Sequence, residues 1–137
     1  MPSSLNSSVS ARDNGTNSVQ YLRKRITYLN RGTAITVGKL PPGSIVVGGG
    51  FQIVTAFNGS GTDTVDIGTT DDADAFATIM DVSASGTYLA LDELATTNDY
   101  SDTAEVTVTV TYNDQNSNST AGEGVVVIMF VTKNPAA

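Results

Sequence analysis

Cysteine, histidine and tryptophan are absent from this chain of 137 residues. Without cysteine there are no disulfides, no thiolate metal site and no cysteine nucleophile. Without histidine the commonest general base and the commonest zinc ligand are missing, so a Ser–His–Asp triad cannot be assembled within the chain. Charge is scarce as well, at 15% of residues against a usual figure of about 25%. Ser, Thr, Asn and Gly fill the gap, and weakly charged polar surfaces of this kind suit packed assemblies. No apolar run approaches membrane-spanning length. Residues 1–8 (MPSSLNSS) lack the charged start and apolar stretch of a signal peptide. The expectation is a soluble protein made in the cytoplasm without a cleavable export signal, with no membrane partner and no cofactor.

The charge that is present is sorted along the chain. Residues 1–62 hold Arg12, Arg23, Lys24, Arg25, Arg31 and Lys39 against Asp13 alone, +6 − 1 = +5. Residues 63–137 hold Lys133 and the other thirteen acids, +1 − 13 = −12, and the two parts sum to the net −7. A basic part joined to an acidic body can hold a charged surface, or dock head to tail onto copies of itself. With a pI near 4.2 the chain is a poor nucleic-acid binder, because phosphate binding needs basic surface. The run Arg23, Lys24, Arg25 is too short to reverse that. Charge asymmetry of this kind implies a partner rather than a reaction.

The length fits one domain that buries roughly two-thirds of its unfolded surface. Residues 1–18 contain only Met1, Leu5 and Val9 as sizeable apolar side chains, which predicts an extended polar N-terminal arm followed by a domain over 19–137. In that domain, Ala104–Asn113 (AEVTVTVTYN) alternates strictly. Val106, Val108, Val110 and Tyr112 point one way and Thr107, Thr109 and Thr111 the other, the pattern of a strand with one buried and one wet face. Gly124–Thr132 (GVVVIMFVT) is a continuous apolar run of strand length. It fits a strand covered on both faces, in mid-sandwich or against a neighbouring subunit. The polar loop between them makes a long hairpin.

Further strands are expected at Gln20–Leu29, Ala34–Val37, Ser44–Gly48, Gly50–Phe57, Thr64–Gly68 and Thr87–Asp92. Pro41, Pro42 and Gly43 form a rigid turn, and Asn58–Gly61 a second one. Gly48, Gly49 and Gly50 mark a bulge, a sharp corner or a close backbone contact. Thr70–Val82 has a possible N-cap in Thr70, with Asp71, Asp72 and Asp74 in a first turn and Phe76, Ile79 and Met80 on one face. The pattern leaves open whether a short helix or helical turn forms there. Some eight short strands with turn signals and at most one short helix give an all-β chain, an antiparallel β-sandwich or barrel.

Candidate sites are few. Asp63, Asp66, Asp71, Asp72 and Asp74 offer oxygens to a hard cation, but the spacing lacks a calcium loop with a closing Glu. Helix-start acids on a solvated face are the preferred reading, and no metal is assigned. Asp92 with Glu93, or Asp99 with Asp102, could be nominated as glycosidase pairs, yet nothing in their spacing is diagnostic, so no catalytic residue is assigned. Tyr21, Tyr28, Tyr88, Tyr100 and Tyr112 read as core or subunit contacts before a sugar platform. The sequons at Asn6, Asn14, Asn58 and Asn118 are discounted, as a chain this rich in Asn, Ser and Thr makes them by chance. Arg23, Lys24 and Arg25 alternate faces on a strand. They read either as edge guards or as a docking contact, and with Arg12 and Arg31 they make up the candidate partner-binding set.

Gly38-Lys39-Leu40-Pro41-Pro42-Gly43-Ser44-Ile45-Val46-Val47-Gly48-Gly49, then Val54–Asn58, then Val65–Thr69, resemble small tailed-bacteriophage virion proteins of the capsid decoration (cement) type. The closing pattern, Ala104–Tyr112, a loop and Gly122–Thr132, is similar too, so the resemblance spans roughly residues 35–132. It is carried by turns and strands rather than by a chemical signature. It implies a jelly-roll-like β-sandwich bound to the outer capsid surface of a virion assembled in the host. The major capsid protein would be its partner, and the chain would be a homo-oligomer, a trimer, without enzymatic activity. The rival expectation is a receptor- or carbohydrate-binding β module of a phage fibre or head fibre. Copy number separates the two: hundreds per virion against a few tens at most.

Overall fold

Alternation and turn chemistry build a chain of short strands, and their pairing builds two sheets. The computed structural model describes residues 19–94 and 104–132. The arm over 1–18, Arg12, Tyr100, the pair Asp99 and Asp102, and Lys133 lie outside the described residues. The strands are β1 (Gln20–Thr27), β2 (Ala34–Leu40), β3 (Ser44–Thr55), β4 (Asp63–Thr69), β5 (Ala77–Asp81), β6 (Tyr88–Ala90), β7 (Val106–Asp114) and β8 (Glu123–Thr132). One 3-10 turn, Tyr28–Asn30, follows β1 and is capped by Thr27, with the Asn30 side chain accepting from the Thr27 N–H at 2.9 Å. None of the described helical segments is long and apolar enough to cross a membrane.

The pairing is nested, β1 with β8, β2 with β7, β3 with β6 and β4 with β5, all antiparallel. β8 also pairs β3, and β7 pairs β4. The result is two four-stranded sheets, ordered β1-β8-β3-β6 and β2-β7-β4-β5, which is the jelly roll, a sandwich of two Greek keys. The expected all-β, jelly-roll-like sandwich is the fold observed.

The core lies between the sheets. Val108, Val110 and Tyr112 of β7 face Val126, Ile128 and Phe130 of β8 across it, all buried. Each such side chain contributes about 1.5–3 kcal/mol by leaving water. The Phe57 ring lies 4.5 Å from that of Tyr112 and 6.2 Å from Phe51, centroid to centroid. Gly122 and Gly124 leave the space that the rings of Phe57 and Phe51 fill.

Four expectations are corrected. Ser44–Gly48 and Gly50–Phe57 form one twelve-residue strand, β3, with register shifts at Val46/Gly48 and Ile53/Thr55. The glycines supply the predicted bulge and also a close approach: Gly49 has φ +125°, and a Cβ there would overlap the Val127 carbonyl. The strand expected over Thr87–Asp92 shortens to Tyr88–Ala90.

Thr70–Val82 is not helical. Thr69 and Ala75 both donate their N–H to the Asp72 carbonyl, at 2.7 and 3.2 Å, and Phe76 N–H goes to Ile67 at 2.9 Å. These turns feed the chain into β5, which completes the open edge of β4. Phe76 and Met80 are buried, but Ile79 is 71% exposed. A bulge sets Thr78 and Ile79 against Asp66 alone and leaves Ile79 at φ 51°. That conformation costs a β-branched residue about 1–3 kcal/mol.

Thr109 is buried rather than wet. The turn after β4 folds back over that part of the outer face, where a Cβ on Gly68, opposite Thr109, would overlap Asp72 and Ala73. Within the described residues the apolar run in β8 is covered on one face, so that a neighbouring subunit is the expected cover left for the other. Val126, Ile128 and Phe130 are buried, whereas Val125, Val127 and Val131 are half-buried and Met129 is exposed.

Candidate interaction surface

Antiparallel partners share a face, so the registers fix what the first sheet shows outward. Tyr21, Arg23 and Arg25 of β1 lie beside Met129, Val127 and Val125 of β8. Those in turn lie beside Gly48, Gly50 and Gln52 of β3, and Tyr88 and Ala90 of β6 complete the rows. Gly48 and Gly50 keep this face low. The Met129 methyl lies 2.9 Å from where a Cβ on Gly48 would stand, and the Tyr88 ring 2.8 Å from that of Gly50. Tyr21 is 66% exposed, and Val47 and Tyr88 50% each. Alternation after buried Val46 turns Val47 outward, and the register shift sets Gly48 on the outward row as well. A contiguous apolar face of this sort on one sheet marks an interaction surface.

The candidate cations divide into three environments. Arg23 stands on this face, and Lys24 on the other side of β1 across from Val126, exposed at the sheet edge. Neither side chain meets an acid among the described residues. Arg25 shares the face with Arg23 but is engaged, its Nε donating to Glu123 at 2.6 Å. That bond raises the Arg25 pKa and lowers that of Glu123.

Arg31 is elsewhere. Its Nη1 donates to the Ser119 carbonyl at 3.0 Å and to Ser119 Oγ at 2.7 Å, and sits 3.5 Å from Asp114 Oδ2. Burial alone would raise the Asp114 carboxyl, but the hydrogen bonds from Ser119 outweigh it and hold the pKa below the usual value. Arg31 is therefore tied to the loop after β7. It lines a cleft of about 280 Å³ with Thr64, Asn113 and Gln115.

The acids and amides mostly serve the backbone. Asp66 Oδ1 accepts from Ile79 N–H at 2.7 Å and holds the bulge, while Asp66 Oδ2 takes Asn113. Asp92 accepts from Thr78 N–H at 3.2 Å, and Asp74 from Thr78 Oγ1 at 3.2 Å. Asp63 is buried under the sheet whereas Asp66 points outward, so these two proposed cation ligands occupy opposite faces. No three carboxylates converge among the described residues. Asn58 accepts from Thr120 and Ala121 N–H at 2.8 and 2.9 Å, and Asn118 accepts from Ser60 N–H at 2.9 Å. Both sequon asparagines thus zip the loop after β3 to the loop after β7.

Reading by motif missed the apolar face itself, since its members come from four strands. One signal was available: the unbroken apolar run of β8, which exceeds what a half-buried strand needs.

No family model matches the chain, and no curated protein does. The fold is similar to chains in three solved structures. A chain of the "Acidic stable capsid structure of Helicobacter pylori bacteriophage KHP30" aligns with TM-score 0.63 and 19% identity, over 82% of this chain and 86% of that one. A chain of the "Cyanophage Pam1 capsid asymmetric unit" aligns with TM-score 0.61 and 20% identity, over 97% and 100%. A chain of the "Capsid of Ralstonia phage GP4" gives 0.60 and 15%, over 85% and 86%. What is shared at these identities is the fold, over 82% to 97% of this chain.

Proposed function

We propose that this chain is a non-enzymatic structural protein of a tailed-phage virion, a decoration (cement) protein that binds the major capsid protein on the outside of the shell and associates as a trimer. The observation that carries the reading is the match of the fold, over 82% to 97% of this chain, to chains in three phage capsid structures. The open apolar face of the first sheet supports it, because a free-standing domain gains nothing from leaving Tyr21, Val47 and Met129 in water.

The mechanism is mass action. A subunit that binds only the assembled shell stabilises it by RT ln(1 + [L]/Kd), about 2.7 kcal/mol per site when free subunit stands at a hundred times Kd. Contacts spread over several capsid subunits resist the outward load of packaged DNA without any chemical step.

The test is to image virions and to add purified chain to shells that lack it. Hundreds of copies on the outer surface, with shells that withstand more heat once the chain is added, are the expected result. A few tens of copies confined to fibres would overturn the reading in favour of a receptor-binding module.

A further inference from the structure

The apolar face has a charged margin, and the same molecule carries that margin's complement. β1 and β6 are the two edges of the first sheet, separated by three strand spacings, or about 14 Å. At the β1 edge stand Tyr21, Arg23 and Lys24. At the β6 edge, where β5 of the second sheet adjoins, stand Asp74 and Asp92. They are drawn together around Thr78 and, among the described residues, meet neutral donors there. Ile79, next to Thr78 on β5, is 71% exposed.

The two edges therefore each pair exposed apolar surface with charge of one sign, and the signs are opposite. Within one chain they cannot meet. Their separation exceeds the Debye length of about 8 Å at physiological ionic strength, so even their long-range attraction is largely screened. Between chains nothing prevents contact. A two-fold pairing of β1 edges would instead set Arg23 and Lys24 against their own copies, which costs energy rather than gaining it. Side-by-side contact between unlike edges is head to tail, and such contacts close into rings when the rotation permits.

We propose that the β1 margin of one copy, Tyr21, Arg23 and Lys24, docks head to tail on the β5–β6 flank of a second copy, Ile79, Asp74 and Asp92. This deepens the proposed function, resting on its premise that copies associate, and it assigns the surfaces. Tyr21 and Ile79 contribute the apolar contact, and the charges set its polarity and disfavour pairing of two β1 edges. Ile79 is displayed by its bulge, which Asp66 holds in place.

The experiment is sedimentation velocity on the full chain at physiological ionic strength, with Arg23→Glu/Lys24→Glu, Asp74→Lys/Asp92→Lys and the quadruple variant carrying all four changes. The wild type should sediment as an oligomer. Each double reversal should weaken self-association on the order of tenfold or more, since attraction between exposed pairs is replaced by repulsion. The quadruple variant, whose contacts are reversed but complementary, should recover it. Thermal melts identify any loss caused by unfolding, and the recovery itself cannot come from a misfolded chain. A monomeric or strictly dimeric wild type, an oligomer indifferent to Arg23→Glu/Lys24→Glu, or a folded quadruple variant that stays monomeric would each overturn the assignment. Co-sedimentation with shells reports on the capsid role separately. A wild type that self-associates with this charge dependence yet ignores shells supports the interface and counts against decoration.

Discussion

Tyr112 donates its hydroxyl to Asp63 Oδ1 at 2.9 Å, beneath the second sheet, where both residues are buried. Burial is the main cause that pushes the Tyr112 pKa up to about 12, and the Asp63 carboxylate, which accepts its proton, adds to the shift. The folded chain thus binds this proton more tightly than the unfolded chain, whose tyrosines titrate near 10. The contribution to stability is complete below about pH 10 and is lost as pH rises toward 12, at roughly 1 kcal/mol per pH unit. Tyr112→Phe should flatten that alkaline slope in urea titrations. It should also cost about 1–3 kcal/mol at neutral pH, because Asp63 loses its donor while remaining buried. An unchanged alkaline slope in the variant would place the titrating group elsewhere.

Arg31 and the β1 cations should separate in a single experiment. Arg31→Gln removes the bonds to Ser119 that hold the loop after β7, and should lower the stability of the isolated chain by about 1–2 kcal/mol. Arg23→Gln with Lys24→Gln removes no ion pair among the described residues and should leave the melting temperature unchanged. The reverse ranking in thermal melts would refute the division of roles.

The two faces of β7 can be probed with one charge placed at successive positions. Val108→Asp puts an unpaired carboxylate into the core and should abolish soluble expression. Thr109→Asp should also be damaging, because the turn after β4 covers that position. Thr107→Asp, half-buried and beside Lys39 in the ladder, should be tolerated within about 0.5 kcal/mol. If Thr107→Asp were as harmful as Val108→Asp, the face assignment would be wrong by one residue.

Gly49→Ala should destabilise by more than the usual glycine replacement. The new methyl would meet the Val127 carbonyl, and φ +125° is closed to L side chains. Gly86→Ala, also at positive φ but with open space around it, isolates the conformational part. Chemical denaturation should give a clearly larger loss for Gly49→Ala; equal losses would mean that the contact with β8 is unimportant.

Salt should weaken attachment to any acidic partner surface without abolishing it. Exposed ion pairs contribute only about 0.2–1 kcal/mol each, and the apolar face supplies a contribution that salt does not screen. Shell binding measured from low to high ionic strength should fall to a plateau above zero. Complete loss at high salt would make the apolar face irrelevant to binding.

The sequence by itself determined the elements that carry a local period. Ala104–Asn113 alternates, and it became β7. The turn signals at Pro41–Gly43 and Asn58–Gly61 fell between strands, and the glycine run became a bulge with a close approach. The absence of histidine and cysteine ruled out whole classes of chemistry, because no fold can supply a missing side chain. Tertiary structure decided the rest. Thr70–Val82 carried a helical spacing of acids and apolar residues, but the open edge of β4 offered ladder hydrogen bonds that a short isolated helix could not match. Thr109 was buried by a turn forty residues away in sequence. Among the described residues the cations that sit together in sequence or composition were dispersed, Arg31 inward to a loop, Arg25 to Glu123, and Arg23 and Lys24 to open edge. The apolar face was the least legible feature. Its residues are ordinary strand residues one at a time, and they become a surface only when register sets Tyr21, Met129, Gly48 and Tyr88 on the same side of one sheet.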